Sequence, residues 1–348
     1  MSPGPTLSNA PVLRFPSSCR FCQEAETRTN LSPASIEKDF WVCWTLRELF
    51  ALPDWGANLT FKGGTSLSKG WKLIERFSED IDIVVGREFL GFGGDASPEA
   101  APSKKQRRAR LEALKSTCQA RIHAGLLPAL KARMDQALPA VDHWSLVPAT
   151  PDEDPDGQTL LFQYPASLAA TAAYLRPVVK IEMGARSDTE PSASPLIRPY
   201  LADAFPETFD TIEFAVHALL PERTFWEKAM LLHEETYRPA GKTRKVRLAR
   251  HYYDLWCLIQ KGVADRASQD LGIFKRIATH REIYFNWSWM DYATLHKGTL
   301  RIVPLDDQMA KWQRDYAAMR EEMFFGEVPT FDVIMRAVGD FEKSFNAG

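Results

Sequence analysis

Asp80 and Asp82 flank Ile81, and Ile83 follows them. On a strand, residues two apart share a face, so both carboxylates would project together while the isoleucines bury on the other side. Such a pair of oxygen donors suits magnesium, which takes one or two carboxylates and completes its octahedron with water and substrate phosphates. Upstream stands Gly63-Gly64-Thr65-Ser66. The glycines let backbone approach a ligand closely, a helix opening at Thr65 or Ser66 would aim free N–H groups at a phosphate, and the Ser66 hydroxyl adds a donor. Asp-x-Asp alone is common and fits exposed acids beside a tight turn equally well; the glycine turn before it is what points to phosphoryl chemistry.

Two-metal phosphoryl transfer needs a further group to help bind the attacking hydroxyl or accept its proton. In Val178-Val-Lys-Ile-Glu-Met183, Lys180 and Glu182 share one face against Val179, Ile181 and Met183. A charged pair interrupting an apolar run implies a cleft, with Glu182 as the third acid; the alternative is a structural ion pair at a sheet end. In Thr224 to His233, Lys228 sits among apolar helical faces as either a phosphate partner or a solvated residue. Asp254, bracketed by Tyr252, Tyr253, Leu255, Trp256 and Leu258, is expected to be buried and therefore paired. It is either an anchor for Arg250 or Lys228 or an acid that reaches the cleft.

Elements able to position these groups are visible along the chain. The first thirty-four residues read as weakly ordered, because Pro, Ser and Thr dominate and apolar anchors are few. A helix capped at Ser35 carries Ile36, Phe40, Trp44 and Leu46 to Leu49 and ends near Pro53. Strands are expected at 59–61, 81–85, 159–164, 174–183 and 213–216, with a helix from Thr65 or Ser66 to about 73. Residues 91–150 read as an insertion whose helix spans about 105–138, with Pro128 as a potential break. Helices at 221–237, 246–260, 266–279, 306–322 and 330–345 complete the pattern. Mixed strands and helices followed by helices alone indicate an α+β catalytic lobe over 35–220 and a helical lobe over 221–348.

The 348 residues are 45% hydrophobic and 25% charged, with a formal net charge of −2, so no global basic field marks a nucleic-acid partner. Local basic sets exist, at Arg238 to Arg247 and at Lys104 to Lys115; the first is a phosphate-binding rim or a solvated loop, and the second reads as a solvated helix face. No run of apolar residues is long enough for a membrane span, which predicts a cytoplasmic protein with no membrane partner. Five scattered cysteines do not make a disulfide framework. The single C-x-x-C, Cys19 and Cys22, lacks a second ligand pair, and no His spacing suggests catalytic zinc.

Together, Gly63-Gly-Thr-Ser-Leu67, Arg76-Phe-Ser78 and Asp80-Ile-Asp82 resemble the first motif of the AbiEii/AbiGii toxin nucleotidyltransferases, MenT-like members of the DNA polymerase beta-like superfamily. Lys180-Ile-Glu182, Trp226 to His233 and Arg250 to Leu255 resemble the second, third and fourth motifs, in the right order. The position after Arg250 is often Asp in that family and is His251 here. The resemblance implies a polymerase-beta-like mixed sheet with flanking helices and a helical C-terminal part. It also implies a toxin paired with an antitoxin, and transfer of nucleotides from an NTP, in some relatives to the 3′ end of tRNA. By position, Asp80 and Asp82 would hold two magnesium ions, with Glu182 and Asp254 as further catalytic acids. Gly63, Gly64, Thr65, Ser66, Lys180 and Lys228 would bind the nucleotide. The expectation is magnesium-dependent transfer of NMP to RNA; a protein or small-molecule acceptor, or an NTP-binding module without turnover, are the rival readings.

Overall fold

The computed structural model describes residues 20–29, 31–138, 143–167, 176–208, 212–324 and 328–347. At its centre Leu59–Lys62 (β1) and Ile81–Val85 (β2) pair antiparallel. Next in the chain come Ser145–Pro148 (β3), Thr159–Gln163 (β4), Val178–Gly184 (β5) and Ser192–Ala193 (β6). Leu196–Ile197 (β7) and Phe214–Ala215 (β8) form a separate two-stranded ladder, and Ala218–Leu219 (β9) returns to the main sheet. Seven strands in the order β3-β4-β5-β2-β1-β9-β6 make a mixed sheet with helices against it. β5 lies parallel to β2 in a register that sets Ile81 against Ile181 and Asp82 against Glu182. The isoleucines are fully buried, so the strand alternation sends the two carboxylates out on the opposite face together.

The helices are Arg20–Thr29 (α1), Pro33–Phe50 (α2), Gly63–Thr65 (α3), Lys104–Arg121 (α4), Leu127–Ala137 (α5) and Tyr200–Ala204 (α6), then Pro221–Thr236 (α7), Arg250–Gln260 (α8), Val263–Gln269 (α9), Leu271–Tyr284 (α10), Asp306–Met323 (α11) and Phe331–Ala347 (α12). α2 lies against the sheet, with Trp41 and Trp44 packed on Phe162 of β4 at ring-centroid distances of 5.9 and 5.6 Å. Its cap is Ser32 rather than Ser35: the Ser32 hydroxyl accepts from the Ser35 amide at 3.1 Å, and Pro33 occupies the helix start. One core cluster gathers buried side chains from Cys22 to Ala218 with Ile283 and Tyr284, and a second gathers those from Phe225 to Phe345 with Leu67 and Ile74.

Several sequence expectations need correction. Within the segment read as weakly ordered, α1 is a helix whose Cys22 and Ala25 are fully buried and whose Phe21 meets Phe205 edge-on at 5.4 Å. Tertiary burial stabilises a helix that composition alone does not announce. Cys22 is therefore a buried core thiol, while Cys19 lies outside the described residues, as do Tyr174 and Leu175 of the expected strand 174–183. The stretch expected as one helix at 266–279 is two, divided at Asp270, whose carboxylate accepts from the Gly272 and Ile273 amides. The chain expected to be helical from 246 turns instead at Arg247, at φ +63°, and α8 opens where Asp315 accepts from the Arg247 and Ala249 amides at 2.7 and 2.8 Å. Pro128 does not break the insertion's helix; a π-turn over Ile122–Leu126 leads into α5, which receives the proline at its first turn.

Candidate active site

A cleft of about 330 Å³ opens between the edge of β2 and β5 and the face of α7 and α8, within the size range of small-molecule sites. Asp80, Asp82 and Glu182 line the sheet side; Thr224, Glu227, Lys228, Arg250 and His251 line the helical side. Ile277, His280, Arg281 and Phe285, from α10 and just beyond it, close one end.

The acids are held against one another. Burial first, then the charges of Glu182, Asp82 and Glu79, push the Asp80 carboxyl up to about 6. Burial also raises Asp82, a shift that Lys62 opposes and Glu182 reinforces. The Thr65 hydroxyl donates to the Asp80 carbonyl at 2.5 Å and lies 2.7 Å from the Ser78 hydroxyl, which ties the glycine turn to the strand entry. Gly63 adopts φ +80°, and a Cβ there would overlap the Asp82 carboxylate; a Cβ at Gly64 would overlap the Arg76 guanidinium. Each glycine thus leaves room for a charged side chain crossing the turn.

Behind the helical wall, Asp254 is fully buried and accepts from Arg76 Nε and Nη2 at 2.7 and 3.0 Å and from Lys228 Nζ at 2.9 Å. Burial acts to raise its pKa, but Arg76 and then Lys228 outweigh it and hold the carboxyl well below the usual range. Burial lowers Lys228, against the pull of Asp254. Burial, then Lys228 and Arg250, lower His251 so far that it is neutral near pH 7, and its Nδ1, 3.3 Å from Lys228 Nζ, serves as an acceptor. Two buried cations around one carboxylate leave a net positive charge in this wall, facing the acids across the cleft.

Of the residues singled out in the sequence, Gly63, Gly64, Asp80, Asp82, Glu182 and Lys228 line the cleft. Four do not. Thr65 is buried with its hydroxyl used internally, and Ser66 is buried with a hydroxyl that has no hydrogen-bond partner among the described residues. The expected regular helix is α3 followed by a π-turn over Ser66–Gly70, and that geometry takes Ser66 into the core. Lys180 pairs with Glu182 but opens on a neighbouring cavity. Asp254, expected to be a second catalytic acid, stands behind Lys228 as its anchor and that of Arg76. Sequence reasoning gave no role to Lys62, Ser78, Glu227, His280, Arg281 and Phe285, which also line the cleft; Ser78 and Glu227 fall within the quoted motifs, whereas Lys62, His280, Arg281 and Phe285 carry no local signal stronger than their own residue type. In the basic stretch, Arg238 and Arg244 pair with Glu235, and Arg247 reaches the cleft.

Among the described residues, no three His, Cys, Asp or Glu side chains gather into a complete metal cage. The donor set still fits magnesium. It asks for one or two carboxylates and keeps the rest of its shell for water and phosphate, and a dication would offset both the burial and, after it, the neighbouring negative charges that raise Asp80.

The family profile of the nucleotidyl transferase AbiEii toxin, of type IV toxin–antitoxin systems, matches residues 44–337. The chain belongs to this family. It is accordingly a nucleotidyltransferase that uses an NTP, and its family implies an antitoxin partner. No curated protein matches it significantly. Among solved structures, MenT4, a nucleotidyltransferase toxin from Mycobacterium tuberculosis, is similar at 16% identity and a TM-score of 0.46, over 96% of this chain and 90% of that one. JHP933 from Helicobacter pylori is similar at 13% identity and 0.43, over 91% of this chain and 94% of that one. No helix among the described residues is long and apolar enough to cross a membrane.

Proposed function

We infer that this AbiEii-family enzyme transfers a nucleoside monophosphate from an NTP to the 3′ end of RNA, with tRNA as the acceptor and magnesium at Asp80 and Asp82. We read residues 35–220, with an insertion at about 91–150, as the catalytic lobe and 221–348 as the helical lobe, in a cytoplasmic toxin held by an antitoxin. The observation that carries the mechanism is the register of Asp82 beside Glu182, facing Lys228 and Arg250 across one cleft.

Lys228 and Arg250 bind the β- and γ-phosphates, and the neutral His251 holds the Lys228 ammonium between itself and Asp254. Asp80 and Asp82 present oxygen donors beside the α-phosphate. Magnesium, when bound there, neutralises phosphate charge and polarises the α-phosphate toward attack. Glu182 receives the proton of the acceptor hydroxyl; the new P–O bond forms as the α–β bridge breaks, and pyrophosphate leaves along the cationic wall. Catalysis is then mainly orientation and charge neutralisation, with a rigid turn fixing both acids.

The test is incubation with magnesium, each α-labelled NTP in turn and total tRNA, comparing wild type with Asp80→Ala. Label on tRNA with wild type alone supports the reading and names the nucleotide. Pyrophosphate release without RNA labelling moves the acceptor to a protein or small molecule.

A further inference from the structure

We propose that the acceptor RNA enters through a second cavity of about 460 Å³ on the β4/β5 side of the acids, where Lys38, Arg176, Lys180 and Arg247 receive its terminal phosphates. The proposal rests on the nucleotidyl-transfer reading above. In-line displacement puts the attacking hydroxyl opposite the leaving pyrophosphate. With the triphosphate against Lys228 and Arg250, the hydroxyl must arrive from the sheet side.

That is where the second cavity lies. It shares Glu79, Asp80 and Arg247 with the catalytic cleft, so the two are continuous across the acids. Four of its lining residues are cations, drawn from α2, β5, the entry to β5 and the entry to α8. Lys38 and Lys180 are held in place by Glu79 and Glu182, and Lys38 Nζ also reaches the Arg176 carbonyl at 3.2 Å. Arg176 itself has a side chain 80% exposed, and its ion pair among the described residues is a 4.0 Å contact to Glu153. An exposed guanidinium beside positioned lysines suits a flexible phosphate backbone, which needs charge and reach rather than base readout. The same geometry gives Lys180 a role that its place outside the nucleotide cleft leaves open.

The experiment measures binding of fluorescently labelled tRNA to the full chain by anisotropy across a salt series, together with NTP binding, for wild type, Arg176→Ala and Arg176→Glu. Because Arg176 is exposed, neither variant threatens folding. The expected result is RNA affinity weakened about ten-fold by Arg176→Glu and less by Arg176→Ala, with a salt slope lower by about one and NTP binding unchanged. Unchanged RNA affinity and slope in Arg176→Glu, or no RNA binding by wild type, overturns the proposal. Equal weakening for poly-glutamate would also overturn it, in favour of an acidic protein at this surface. RNA binding that depends on Arg176 with no transfer to RNA would support the entry route while defeating the transfer reading.

Discussion

Arg76 and Asp254, 178 positions apart, form a two-point ion pair at 2.7 and 3.0 Å that fixes the floor of the cleft to α8. Asp254 is the one carboxylate within ion-pair distance of Arg76 or Lys228 among the described residues, so its removal strands two buried cations. Asp254→Ala should destabilise the protein by about 3–5 kcal/mol, the cost of breaking a buried pair from one side. Urea unfolding measures it, and a loss below about 1 kcal/mol would show that the network is not held as the geometry requires.

Asp80 predicts the opposite sign. Its carboxyl is raised to about 6 in the fold, above its ordinary value, so the folded state is penalised whenever Asp80 is ionised. That penalty is absent below the unfolded pKa, develops as pH rises toward 6 and is complete above it. Asp80→Asn should therefore abolish transfer yet stabilise the metal-free protein at pH 7 by about 1–3 kcal/mol, with the gain vanishing near pH 4. Calorimetry at the two pH values, beside an activity assay, decides it. A variant both inactive and destabilised at pH 7 would contradict this account.

How far the sequence could be read shows in these two residues. The period-two alternation around Asp82 and Glu182 is a local property of strands, and it sets both acids opposite buried apolar neighbours, while Asp80 stands one residue before β2. The burial of Asp254 was legible from its aromatic neighbours, but its partner Arg76 was not, because no local pattern encodes a contact between an irregular segment and a helix far along the chain. Likewise Glu227, His280 and Phe285 meet the cleft only through the way α7 and α10 pack. At Ser66 the sequence pattern predicts a regular helix, and the π-turn over Ser66–Gly70 changes the face that each side chain presents.

The glycine turn should respond to a single methyl group. Gly63→Ala combines an unfavourable φ of +80° with overlap on the Asp82 carboxylate, whereas Gly91→Ala, at φ +84°, meets nothing within 4 Å. Gly63→Ala should cost about 1–3 kcal/mol and most of the activity, because Asp82 must move. Gly91→Ala should cost only the backbone strain and leave kcat intact. Equal kcat in the two variants would remove the turn from the catalytic geometry.

Acid sensitivity should come in part from buried neutral histidine. Burial, with Arg301 next, pushes His233 down to about 4, although the Arg301 amide donates to its Nδ1 at 2.8 Å. The unfolded chain takes up that proton near pH 6.5 and the folded one only near 4, so stability falls as pH drops through this window. The slope from one such group is at most about 1.4 kcal/mol per pH unit. Urea midpoints measured from pH 7 to pH 5 should decline more steeply for wild type than for His233→Gln; parallel declines would assign the effect elsewhere.

Ser66 separates resemblance from geometry most directly. By position it would contact the triphosphate, yet it is 1% exposed, lies off the cleft lining and keeps a hydroxyl with no hydrogen-bond partner among the described residues. An unmet buried hydroxyl costs about 1–3 kcal/mol, and alanine removes it while keeping nearly all of the side chain's packing. Ser66→Ala should leave KM for NTP within about two-fold of wild type and should not lower stability, whereas Lys228→Ala should raise KM for NTP by about ten-fold or more through loss of a charge-assisted phosphate contact. Steady-state kinetics over an NTP series, run beside thermal unfolding of both variants, makes the comparison. A large rise in KM for Ser66→Ala would mean that the turn rearranges to expose its hydroxyl when nucleotide binds.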